Sequence, residues 1–189
     1  YKPTFYRLSN LTNKHEFENL INSQQNLQVY DYIHAQVEEL IKCLYPTIIF
    51  LPPTELAKTV EAKFEDKPSD EYGVWVYYPW ANKLVHLLDE QEFTLVRTNR
   101  NKHKITAEEQ NILASKKIGV MGLSVGQSVS LTLAMERGFG ELRIADFDTL
   151  ELNNLNRIRA GVNNLGLLKA YVVAREIAEI DPFFKVVCY

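Results

Sequence analysis

"KKIGVMGLSVGQSVSLTLAMER" (116–137) reads as a strand, a glycine turn and a helix in immediate succession. Lys116–Met121 is short, mostly apolar and ends at Gly122, and a helical segment then runs from Ser124 to Arg137, stopped by Gly138 and Gly140. In the turn "GLSVGQ" (122–127), backbone N–H groups backed by a helix dipole could bind a phosphate. The familiar G-x-G-x-x-G pattern would need glycine at 124 and 127, where this chain has Ser124 and Gln127, with a glycine at 126 instead. On this motif alone, a tight turn without a ligand is the competing reading.

Outward from the turn, "ELRIA" (141–145) is a second strand and "GLLKAYVVAREIAEI" (166–180) an amphipathic helix halted by Asp181-Pro182. "FKVVCY" (184–189) is a third strand. This order, βαβ then αβ, predicts an α/β fold with a Rossmann-like parallel sheet and right-handed crossovers. Ligands of such sheets bind beyond the carboxyl ends of the strands.

One of those ends leads into "ADFDTLELNNLNR" (145–157), whose asparagines disfavour both helix and strand and so predict an irregular loop. Asp146 stands at the tip of the second strand, 24 residues after Gly122, where nucleotide-binding sheets place an acid that accepts from ribose hydroxyls. Asp148 is expected to cap the following turn. Asn154, Asn156 and Arg157 follow, then Lys169 in the first turn of the next helix. A cation there opposes the helix dipole. With Arg157 at the same edge of the sheet, it makes sense if an anion such as a nucleoside triphosphate lies between them.

The 189 residues are 46% hydrophobic and 24% charged, as expected of a globular protein, and the net charge of −3 gives no reason to expect nucleic acid or an anionic membrane as partner. No apolar run approaches about 20 residues, the length of a membrane span. The chain starts at Tyr1, without methionine and without a basic, apolar leader. Cys43 and Cys188 are far apart, form no metal-ligand pair and predict a reduced, cytoplasmic setting.

Near residue 100 the character changes: "RTNRNKHKITAEEQ" (97–110) is rich in charge and poor in apolar residues. A boundary there divides the chain into 1–96, a small α+β domain of unknown role, and 97–189. In the first part, helices are predicted after Asn13, over 29–45 and after a Thr54 cap, with a strand at "TIIFL" (47–51). "YGVWVYY" and "KLVHLL" predict two strands joined by "PWAN". His34, His86 and His103 are scattered and read as structural or surface residues, and Trp75, Tyr77, Tyr78 and Trp80 as hairpin packing. Nothing in this half groups catalytic side chains.

Taken together, "GLSVGQ", "ADFDTLELNNLNR" and "GLLK" resemble the adenylation domain of the ubiquitin-activating-enzyme-like superfamily, which includes the ThiF, MoeB and HesA proteins. The resemblance runs from about Arg97 to the last residue. It implies ATP-dependent adenylation of a carboxylate, usually the C-terminus of a ubiquitin-like or sulfur-carrier protein. It assigns Gly122, Ser124 and Gly126 to the nucleotide turn, Asp146 to the ribose, Asn154 to the nucleotide-binding loop, and Arg157 and Lys169 to the phosphates, with Arg157 and Lys169 catalytic. Arg100 corresponds to an arginine that reaches the partner subunit's nucleotide, which implies a homodimer. The family's magnesium ligand and acceptor cysteine lie further on. The chain is therefore expected to hold the first βαβαβ half of the fold, with no metal ligand for the Mg2+ that accompanies ATP. Ser124, Val125 and Gln127 replace small glycines and are expected to narrow the nucleotide site. Two rival readings are a non-catalytic scaffold of the same fold and an NAD(P)- or FAD-dependent oxidoreductase.

Overall fold

Two sheets organise the chain, one in each of the units Pro3–Asn99 and Arg100–Tyr189 (the latter with Tyr1–Lys2), in a computed structural model that describes residues 1–189. The N-terminal unit contains β1 (Thr4–Tyr6), α1 (Leu11–Ser23), β2 (Gln28–Asp31), α2 (Ile33–Leu44), α3 (Pro53–Ala62), β3 (Val74–Tyr78), β4 (Lys83–Leu87) and α4 (Glu90–Thr98). Its sheet has the order β1-β3-β4-β2, with β2 parallel to β4 and the other pairs antiparallel. The β3–β4 hairpin is the one its aromatic and β-branched residues predict. Ile33, Val37, Leu40 and Ile41 line the buried face of α2, as their spacing requires. His86 is fully buried, stacked 4.1 Å from Trp75 and hydrogen-bonded to Asp31 and the Tyr72 carbonyl, so it is a structural residue.

Several local expectations fail here for local reasons. The predicted strand at 47–51 is a 3-10 turn, Pro46–Phe50, whose bonds run from Ile48 to Tyr45 and from Leu51 to Ile48. Those groups are satisfied within the turn, and of its apolar run only Ile48 is buried. The first residues of the predicted 29–45 helix belong instead to β2, and Asn10 caps α1, accepting from the Thr12 and Asn13 amides. Thr54 caps nothing, because Pro53 already occupies the first helical position. The polar joint is itself partly helical: α4 reaches Thr98, and α5 (Ala107–Ala114) begins at a Thr106–Glu109 capping box.

The C-terminal unit continues with β5 (Lys117–Met121), α6 (Leu123–Glu136), β6 (Glu141–Ala145), α7 (Lys169–Ile180) and β7 (Lys185–Cys188). All three strands are parallel, in the order β5-β6-β7. Ile118 and Val120, Leu142 and Ile144, and Val186 and Cys188 point to one face. There they pack against Leu123 and Ala134 of α6 and Ala170, Val173, Ala174 and Ile177 of α7. The end of α6 is set by Arg137, in the left-handed conformation with φ 53°, while the Gly138 amide donates back to the Leu133 carbonyl. Arg137 also donates to the fully buried Asp181 at 2.9 Å, which ties the ends of the two helices together. No helix is long and apolar enough to cross a membrane.

On the other face, at the amino ends of the strands, Glu141 accepts from Arg143 at 2.7 Å and lies 2.8 Å from the Lys185 ammonium across the β6–β7 register. Lys185 and then Arg143 hold its carboxyl down to about 2. A depressed carboxyl contributes stability that is complete above its unfolded value and is lost as pH falls through the folded one. The difference in urea midpoint between the wild type and Glu141→Gln should therefore be constant above pH about 5 and shrink between about 4.5 and 2. A difference unchanged at pH 2 would show that the pair contributes nothing.

Candidate functional site

At the carboxyl ends of β5 and β6 lies a cleft of about 740 Å³, lined by Met121, Gly122, Ser124 and Val125, by Ala145 through Asp148, and by Tyr189. Gly122 makes the corner. Its φ of +82° suits glycine, and its amide donates to the Ala145 carbonyl at 2.8 Å, so the chain leaves β5 and starts α6 within one residue. Gly126 serves packing instead, since a Cβ there would lie 2.6 Å from Val120 Cγ1; its absence lets α6 sit closely on β5.

Asp146 joins the two loops of the cleft. One carboxylate oxygen accepts from the Leu123 amide at 2.6 Å and so caps α6, and the other accepts from the Asp148 amide at 2.9 Å. The turn after β6 is therefore made by Asp146, and Asp148 does not cap it. Asp148 binds Lys169 instead: the ammonium lies 2.8 Å from its carboxylate, and the Lys169 amide donates to its carbonyl. Lys169, the first residue of α7, is only 5% exposed. A buried ammonium in a first turn has the helix dipole against it, and the Asp148 carboxylate offsets that cost.

The rest of the asparagine loop is held by its own side chains. Buried Asn154 accepts from the Glu151 amide at 3.1 Å, which closes the 3-10 turn Leu152–Asn156. Arg157 is exposed, and its guanidinium donates to the Asn153 carbonyl and to Asn156 Oδ1 at 2.9 Å. The two cations expected to share one anion thus each have a partner within the chain. Arg100 is exposed in the 3-10 turn Asn99–His103 and does not line the cleft. Gln127, expected to crowd the cleft, turns away from it: it is 1% exposed and bonded to Arg159 and Glu176. Cys188 is half-buried, and burial pushes its thiol up from the ordinary range, the opposite of what a nucleophile needs.

A parallel β5-β6-β7 sheet, with a glycine corner after its first strand and an acid at the tip of its second, defines a Rossmann-like α/β domain. Within that class, residues 97–189 match the model of the ThiF family, and this part of the chain is a ThiF-family domain. The chain is 51% identical over 117 residues to the uncharacterized protein MT1398 of Mycobacterium tuberculosis, covering 62% of this chain and 16% of that protein. It is 34% identical over 90 residues to the probable molybdopterin-synthase adenylyltransferase of Porphyra purpurea, covering 45% of this chain and 24% of that protein. Among solved structures, it is similar to the E. coli tRNA N6-threonylcarbamoyladenosine dehydratase TcdA in complex with ATP, at 29% identity and a TM-score of 0.47. That match covers 49% of this chain and 39% of TcdA. The chain thus spans about a quarter or less of the length of these two curated relatives.

Because Asp146 both caps α6 and shapes the following turn, Asp146→Ala should lower the stability of the C-terminal unit by about 1–2 kcal/mol, the range of a lost helix cap. Urea unfolding measures this, and an unchanged midpoint would show that the carboxylate is not holding the two loops.

Proposed function

We propose that the cleft binds ATP and that the domain adenylates a carboxylate, most naturally the C-terminus of a ubiquitin-like or sulfur-carrier protein. The observation that supports this best is the junction at Asp146, which sets the cap of α6 and the Asp148–Lys169 pair against one cleft. Helix geometry leaves the amides of Ser124 and Val125 without intrahelical partners, and both residues line the cleft. Those amides would receive phosphate oxygens, as helix N-termini do. Each oxygen of a carboxylate has a second lone pair, so Asp146 could keep its two amide bonds and still accept from ribose hydroxyls.

In this reading a carboxylate oxygen attacks the α-phosphorus while the bond to the bridging oxygen breaks. Pyrophosphate leaves with the electron pair, and an acyl-adenylate remains. Both reactants are anions, so positive groups at the site decide whether they meet. Two unit charges about 4 Å apart, at an effective dielectric of about 20, interact by about 4 kcal/mol before desolvation. Lys169 has three donor hydrogens and could add a phosphate oxygen while keeping Asp148. Arg157 would exchange its neutral partners, Asn153 and Asn156, for a charged one. Magnesium would neutralise phosphate charge when bound; no group of three or more His, Cys, Asp or Glu side chains gathers to hold it alone, so the triphosphate and water would supply most of its ligands, with the half-exposed Asp148 as the carboxylate at hand. Arg100 would act only from a partner subunit, in a homodimer.

Arg157→Ala should slow ATP–pyrophosphate exchange by about 100-fold or more, as loss of a donor to transition-state charge does elsewhere. The assay is run with the full chain and an acceptor carboxylate. Exchange within a factor of about three of wild type would take Arg157 out of the mechanism. Tight NADH binding without ATP binding would favour an oxidoreductase, and failure to bind any nucleotide a scaffold.

A further inference from the structure

Gln127 is almost fully buried, yet its carboxamide is fully engaged in hydrogen bonds. Oε1 accepts from the Arg159 amide at 3.0 Å, and Nε2 donates to the carbonyl of the same residue at 2.8 Å. Nε2 donates again to Glu176 Oε2 at 2.7 Å. One side chain of α6 thus grips both backbone groups of a loop residue, as a neighbouring strand would, and holds a carboxylate on α7. The three places it joins are the three that carry the candidate residues. Gln127 follows Ser124 by about one helical turn, Arg159 lies two residues after Arg157, and Glu176 lies two turns after Lys169 on the same face of α7. Burial raises the Glu176 carboxyl, while the bond from Gln127 and the charge of Arg159 lower it and Glu179 raises it further.

We propose that Gln127 is a positioning residue for the nucleotide site, fixing the Arg157 loop and the Lys169 helix relative to the glycine turn through its bonds to Arg159 and Glu176. This deepens the ATP-binding reading and rests on it for its functional half. The need for such a clamp is physical. Arg157 is exposed and otherwise bonded only to its own neighbours in the loop, so nothing in its immediate contacts sets its distance from α6. A misplacement of about 1 Å at a reacting centre can cost about 100-fold in rate. Ile158, 4% exposed, anchors the loop between Arg157 and Arg159, but apolar contact sets depth and not register.

Two measurements separate the clamp from its use. In the full chain without nucleotide, Gln127→Ala should speed hydrogen exchange at the Arg159 amide by about tenfold or more, a local opening beneath an unchanged global transition. By calorimetry, the same substitution should weaken ATP binding about tenfold in the wild-type background and clearly less beside Arg157→Ala, where only the part passing through Lys169 remains, because residues that act through one another are not additive. If Gln127→Ala does not fold, Gln127→Glu decides the matter. It sets a carboxylate against Glu176 and the Arg159 carbonyl and should release the loop; adding Glu176→Gln returns a donor on the α7 side and should recover protection and affinity in part. Unchanged exchange at Arg159 would overturn the clamp. A tenfold loss that recurs beside Arg157→Ala, or no recovery in the Gln127→Glu, Glu176→Gln pair, would overturn positioning. If the wild-type chain does not bind ATP, the nucleotide reading falls, and the exchange result still decides whether the clamp exists.

Discussion

The carboxylate of Asp146 is the point at which the two loops of the cleft in the C-terminal unit are joined. A parallel strand followed by a helix leaves two unsolved problems at its carboxyl edge: the first amides of the helix lack partners, and the next connection has no fixed direction. Asp146 answers both, one oxygen on the Leu123 amide and the other on the Asp148 amide. The turn it makes delivers the Asp148 side chain to Lys169 and the Asp148 carbonyl to the Lys169 amide, and that contact starts α7. Thr149 and Leu168 then pair as an isolated bridge, and Leu150 exchanges bonds with Leu167 and Gly166. One acid at a strand tip therefore sets where two helices begin.

The electrostatics follow from that geometry. A lysine at the start of a helix, nearly without solvent, is costly to keep charged unless a carboxylate is close. Asp148 meets that need while remaining at the cleft, where its own side chain is half exposed. The cleft therefore has no bare cation. An anion entering it competes with Asp148 and must itself be strongly charged to draw on Lys169, whereas the exposed Arg157 has only neutral partners to give up.

Much of this was legible in the sequence because it depends on short-range rules. The three strands and two helices of the sheet follow from apolar periodicity and from the Gly122 corner, and the two-strand hairpin at 74–87 from β-branched and aromatic alternation. The asparagines at 153, 154 and 156 are expected in an irregular loop; they fall instead in the 3-10 turn Leu152–Asn156, each hydrogen-bonding with its neighbours there. What stayed hidden depends on partners far away in sequence. Whether 47–51 finds a neighbouring strand, and whether Asp148 bonds its own turn or a lysine 21 residues on, cannot be decided from local preference. The roles of Gln127 and Asp181 were missed for the same reason. For Asp181, between Ile180 and Pro182, an acid beside apolar residues was the available signal, whereas Gln127, between Gly126 and Ser128, gave none; their meaning came only with Arg159, Glu176 and Arg137 in place.

The glycine turn shows how a motif divides into its separate demands. Position 122 needs a positive φ, and position 126 needs room against Val120; both are met by glycine here. Positions 124 and 127 carry side chains because neither demand falls on them. Ser124 stands at the cleft, where a hydroxyl adds a donor and an acceptor to the amides around it. Gln127, about one turn further along α6, is buried, and its carboxamide finds partners in Arg159 and in Glu176 of α7. A departure from a glycine pattern is thus no measure of damage to a site until the partners of the new side chain are known.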